Sequence, residues 1–186
     1  MISVTALLVP ALVSAVIVFI TSSVIHMLTP WHAGDFQKIP NEGAVLDALR
    51  PFNLAPGSYV APRPSSTKDM GTPEFQEKAR RGPRVMLRVM PNGQTGMGKQ
   101  LALWFLYSAV IALLAGFITS RALQAGATYP VVFKFVAVIA AAAYSLGLWQ
   151  ESIWYSRSWV TTLKSTIDGV IYASLTAGVF GWLWPR

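Results

Sequence analysis

Two histidines, His26 and His32, are the only imidazoles in the chain, and there is no cysteine. Thiolate nucleophiles, thiolate metal sites, disulfides and lipidated cysteines are therefore excluded. His26 and His32 flank Trp31, and Asp35 and Glu42 follow. Imidazole with carboxylate is a ligand set for zinc or another divalent ion. The residues between the two rings include Pro30, however, so no helix carries both on one face. The expectation is a His-Trp collar at the end of a membrane span, where amphipathic rings prefer to sit. No catalytic residue, metal or cofactor is assigned, and the chain reads as a non-enzyme: it holds no Ser-His-Asp order, paired catalytic carboxylates or His-rich helix.

Gly93-Gln-Thr-Gly-Met-Gly98-Lys99 has the spacing of a phosphate-binding loop. Such a loop cradles phosphates with backbone amides and reaches them with its Lys. Gln100 stands where a Mg²⁺-binding hydroxyl belongs, and the helix that follows is apolar enough for a membrane. The expectation is a Gly-rich approach to a span, with Lys99 as a positive anchor.

Glu151, Lys164 and Asp168 form the candidate intramembrane polar cluster. The spacing sets Glu151 and Lys164 at similar depth on either side of a turn near Arg157, a cross-hairpin ion pair. Lys164 and Asp168 share a helix face at i, i+4. A carboxylate within a span is costly and marks ion or substrate handling by default. A structural Lys-Asp-Glu cluster, or a hydrated interfacial Asp, is the plainer alternative. Gly169, Ala173, Ala177 and Gly181 repeat a small residue every fourth position, a candidate helix-packing face. Packing within the hairpin is preferred to homodimerisation, because the partner helix is tethered.

These groups need elements to hold them, and the composition says which kind. Only 12% of the 186 residues are charged, half the value of about 25% in soluble domains, and the mean hydropathy is +0.46. A helix needs roughly 20 mostly apolar residues to cross a bilayer. Four segments qualify, at 1–26, 101–121, 130–150 and 160–184. The first lacks a basic flank and a small-residue cleavage site, so it reads as an uncleaved anchor. The fold class is an all-α integral membrane protein of four transmembrane helices. An insert of about 70 residues, 27–100, separates the first two.

Within the insert, the pattern predicts short helices at about 41–50 and 73–81. Thr72, Pro73 and Glu74 supply a start, and Gly82-Pro83 a stop. Strict alternation over 84–90 predicts an extended piece, in a two-stranded pairing with Ser58–Ala61 or as a juxtamembrane strand. Lys and Arg concentrate in this insert, and Arg80, Arg81, Arg84, Arg88 and Lys99 lie close to the second span. That bias places the insert in the cytoplasm and both termini outside the cell membrane. Lys78, Arg80, Arg81, Arg84, Arg88 and Lys99 are candidate contacts for anionic lipid headgroups. Nucleic acid is not expected, since Asp69, Glu74 and Glu77 adjoin the basic run and no stacking platform is present. The leading functional expectation is a multi-pass scaffold or assembly protein with a membrane-protein partner or a second copy of itself. The alternative is a small ion- or proton-coupled transporter using Asp168, Glu151 and Lys164.

Overall fold

The structure, a computed structural model, describes residues 2–93 and 96–186. In chain order the elements are α1 (Val4–Ser23), α2 (Glu42–Leu49), β1 (Gly57–Ala61), α3 (Pro73–Arg81), β2 (Val85–Val89), α4 (Gly98–Ala122), α5 (Tyr129–Ser145), α6 (Trp149–Tyr155) and α7 (Trp159–Trp182). A π-helical turn, Val24–Leu28, prolongs α1, and a 3₁₀ turn, Leu146–Leu148, joins α5 to α6. The chain divides into two compact units, Met1–Gln37 with Gly96–Arg186, and Lys38–Thr95.

Three helical stretches of the first unit are long and apolar enough to cross a membrane: Val4–Leu28, Gly98–Ala122 and Tyr129–Tyr155. The fourth helix, α7, has the length but not the apolarity. Thr161, Thr162, Lys164, Ser165, Thr166 and Asp168 crowd its first turns. The expected four spans therefore reduce, on length and apolarity alone, to three.

The helices bury many small and hydroxyl-bearing residues, together with Leu7, Val18 and Phe180, and leave many large apolar ones outside. Leu7, Ala11, Ser14, Ala15 and Val18 of α1 are buried, while Val9, Leu12 and Ile20 are more than half exposed. Ser108, Ala112, Ala115 and Thr119 of α4 are buried in the same way, as are Val132, Val136 and Ala140 of α5. An apolar exterior over a small, hydroxyl-rich interior suits helices that meet in lipid, where close van der Waals fit replaces hydrophobic collapse. Two buried hydroxyls bond carbonyls of their own helices: Ser14 Oγ donates to the Pro10 carbonyl at 2.7 Å, and Thr176 Oγ1 to that of Tyr172 at 2.9 Å.

α5 and α7 make the closest pair. A Cβ at Gly169 would collide with Ser145 Oγ and the Tyr144 backbone, and one at Gly181 would lie 2.7 Å from the Tyr129 ring. Ala173 and Ala177 are buried between these glycines. One end of the unit is tied by Arg121 Nη2 donating to the Ile2 carbonyl (2.9 Å) and Gly126 N–H to that of Pro185 (2.9 Å). Trp184 Nε1 donates there to the Gln124 carbonyl at 3.0 Å. At the opposite end α6 folds against α7 through Ser152 and Thr162, whose hydroxyls are 2.6 Å apart.

In the second unit β1 and β2 pair antiparallel, with Gly57 opposite Val89 and Ala61 opposite Val85. Arg88 and Met86 are exposed, whereas Val85, Leu87 and Val89 are half-buried, the alternation that the sequence predicts. The Thr72 hydroxyl caps α3 by accepting from Phe75 N–H at 3.3 Å, and Gly82, at φ +58°, ends it.

Candidate functional site

The site begins where α1 loosens. In the π-helical turn the His26 ring comes to lie with Nδ1 3.1 Å from the Ser22 carbonyl. Such turns recur at functional sites because they shift the register of the side chains that follow. Two tight turns come next. Thr29 Oγ1 donates to the Ile25 carbonyl (2.6 Å) and accepts from Trp31 N–H (3.3 Å). Ala33 N–H then bonds the Pro30 carbonyl and Asp35 N–H the His32 carbonyl, both at 3.1 Å. These turns fold Trp31, His32 and Asp35 back against α7.

There they meet Lys164 and Asp168. Trp31 Nε1 donates to Asp168 Oδ1 at 3.1 Å. His32 lies between two carboxylates, with Nε2 2.7 Å from Asp168 Oδ2 and Nδ1 2.7 Å from Asp35 Oδ2. Each ring nitrogen thus faces a carboxylate oxygen. Lys164 Nζ donates to Asp35 Oδ1 at 3.2 Å and lies 5.6 Å from the Trp31 ring centre. Two carboxylates thus share one imidazole and one lysine, the kind of pairing that lets buried charge be tolerated. Asp168 is 3% exposed. Burial pushes the Asp35 carboxyl up, but hydrogen bonds from His32 and Lys164 outweigh it and hold the group below the ordinary carboxylate range. His26 stacks on His32, ring centres 4.3 Å apart and planes 18° from parallel.

A cavity of about 380 Å³ adjoins this network. Its walls include Ser22, His26, Trp104, Tyr144, Asp168 and Tyr172. Trp104 is held by Nε1 donating to Ser22 Oγ at 2.7 Å. The buried Tyr172 hydroxyl has no hydrogen-bond partner among the described residues. A second, shallower hollow of about 640 Å³ lies along Ile25, Pro30, Trp31, Ile167 and Ile171, and Asp168 lines it too.

The structure thus joins Lys164 and Asp168 through His32 and Asp35. It does not bring Glu151 to them. Among the described residues Glu151, on α6, forms no ion pair, and its backbone carbonyl accepts Arg157 N–H at 3.1 Å. Asp35 takes the lysine instead. The sequence singles out His26 and His32 as a His-Trp collar, with Asp35 only following; no helix carries the three together, and turns do so instead. Glu42 lies in the other unit, at the start of α2. Gly169, Ala173, Ala177 and Gly181 lie within the first unit's packing. Lys78, Arg80, Arg81, Arg84 and Arg88 are exposed on the second unit, and Lys99 is exposed in the first turn of α4. Of the phosphate-loop look-alike, Gln94 and Thr95 lie outside the described residues.

No protein-family model matches the chain, and neither a curated protein nor a solved structure does, so its own geometry has to carry the functional reading.

Proposed function

We propose that this is a four-span protein of the cell membrane that binds and passes a cation, not an enzyme and not primarily a scaffold. The observation that carries this reading is the place of Asp168. It is a buried carboxylate that lines both hollows, in a unit whose exterior is apolar. An ionisable group held at such depth marks an ion or substrate path. Aromatic faces at Trp104, Tyr144 and Tyr172 add π surfaces that favour a cation beside the carboxylate. α7 serves as the fourth span because its polar turns are buried or half-buried against the site and α6 rather than exposed to lipid. The Lys and Arg bias of the insert favours a cytoplasmic insert with both termini outside, and Lys78, Arg80, Arg81, Arg84, Arg88 and Lys99 then meet anionic headgroups.

The scaffold reading needs a free contact face. The small-residue face offers none, since Tyr129, Tyr144 and Ser145 already fill it around Gly169 and Gly181.

The test is uptake of Rb⁺, Zn²⁺ and ethidium into liposomes holding the full chain. Uptake of at least one tracer should exceed that of empty liposomes, and Asp168→Asn should abolish it while keeping its helical circular dichroism. A well-folded Asp168→Asn protein with unchanged uptake overturns the reading, as does a wild type that moves none of the three.

A further inference from the structure

We infer that His26, His32 and Asp168 form a site for one divalent first-row transition-metal ion, with zinc as the reference. The inference rests on the cation-handling reading above and narrows the cation to one chemical class. One ligand atom from each residue already lies within 4.8 Å of the other two.

The hydrogen bonds around these residues decide which atoms are free to bind. His26 Nδ1 faces the Ser22 carbonyl at 3.1 Å. A carbonyl only accepts, so Nδ1 carries the hydrogen and Nε2 keeps its lone pair. His32 Nδ1 faces Asp35 in the same sense, at 2.7 Å. Asp35 is fixed in turn by Lys164. A carboxylate behind the far nitrogen of a ligating imidazole is the usual outer partner of a metal site. Trp31 occupies Asp168 Oδ1 and leaves Oδ2 for the ion. Each of the three residues is thereby left with one defined ligand atom. The two imidazoles stack face to face, 18° from parallel, so one ring must turn for both lone pairs to meet a single ion.

The ion takes the place of the proton between His32 Nε2 and Asp168 Oδ2. Ligands around a tetrahedral zinc stand about 3.3 Å apart, given bonds near 2.0 Å. The 2.7 Å pair must therefore open by more than half an ångström, and His26 must close in. Two imidazoles and one carboxylate suit zinc or ferrous iron, whereas magnesium and calcium prefer all-oxygen sets. Three protein ligands leave a coordination position open. His26 and Asp168 both line the 380 Å³ cavity, which supplies that position with a route for the ion and for a further ligand.

The experiment is calorimetric titration of ZnCl₂ into the full chain in detergent after chelator treatment, with Co²⁺ absorption as a second probe. One ion per chain should bind, with weak d–d bands and no thiolate charge transfer. His26→Ala leaves every ion pair of the network in place, so it tests the site without testing the fold. It should weaken Zn²⁺ binding at least tenfold, and Asp35→Asn should weaken it about 10–100-fold. Glu42→Gln, in the other unit, should change nothing. Substoichiometric binding, or binding unaltered by His26→Ala, overturns the metal site. If Asp168→Asn still abolishes Rb⁺ or ethidium uptake in that case, the cation-handling reading survives alone. Stoichiometric, His26-dependent zinc in a protein that moves no tracer has the reverse meaning: the site stands and the transport reading falls.

Discussion

Lys164 reaches back to Asp35, 129 positions earlier in the chain, and not to Asp168 one turn further along its own helix. Asp168 receives Trp31 and His32 instead. The turns after α1 are thus clamped to the first turns of α7 by two carboxylates that share one imidazole.

That clamp should behave as a unit. Lys164→Met leaves Asp35 buried with His32 alone and should cost about 1–3 kcal/mol, below the 3–5 of a fully buried pair, because the Lys164 side chain is 23% exposed. Adding Asp35→Asn to Lys164→Met should cost less than the sum of the single changes. Denaturation of the four proteins in one detergent measures this, and strict additivity would show that the pair is not coupled.

Two glycines of α7 should respond with opposite signs to the same change. Alanine is intrinsically better than glycine in a helix by about 1 kcal/mol. At Gly178 a Cβ meets only the Tyr129 hydroxyl, at 3.6 Å, so Gly178→Ala should hold or raise the melting temperature. At Gly169 the Cβ runs into Ser145 and Tyr144, and overpacking costs about 1–3 kcal/mol. Gly169→Ala should therefore melt lower than wild type. Equal melting temperatures for the two variants would mean that α5 and α7 do not approach so closely.

The membrane threading has its own check. Alkaline phosphatase fused after Arg186 should be active, and fused after Arg157 inactive. Matching activities at the two positions would show that α7 does not cross.

Tyr172→Phe removes a buried hydroxyl that has no partner among the described residues. An unpaired buried hydroxyl is destabilising, so the variant should be as stable as wild type or slightly more so. A loss above about 1 kcal/mol would mean that the hydroxyl holds a hydrogen bond, whose net worth is of that order.

Lys99→Ala should leave the protein without measurable ATP affinity, as in the wild type. Lys99 is exposed in the first turn of an apolar helix, and Gln100 follows it. Saturable micromolar binding that depends on Lys99 would revive the phosphate-loop reading.

Local pattern was readable wherever one element decides its own fate. The charge-free runs foretell the apolar helices, Thr72 and Gly82 bound α3, and alternation over 84–90 yields β2 with Arg88 outward. Glu151 shows where such reading stops. Its depth was argued from the hairpin alone, without the 3₁₀ turn at Leu146–Leu148 that precedes α6, or a competing carboxylate from another element. The pairings of His32 and Asp35 with α7 span more than 120 residues and depend on two tight turns. Neither periodicity nor spacing encodes such contacts.

The π-helical turn at Val24–Leu28 holds one residue more per turn than the α-helix before it. It works as a phase slip between two requirements. Upstream, α1 must keep Leu7, Ala11, Ser14 and Val18 on one inward line; downstream, His26 must aim at His32. One residue corresponds to about 100° of helical rotation. Deleting Val24 or Ile25 would rewind the turn into regular helix and swing His26 out of register, leaving the inward line of α1 untouched.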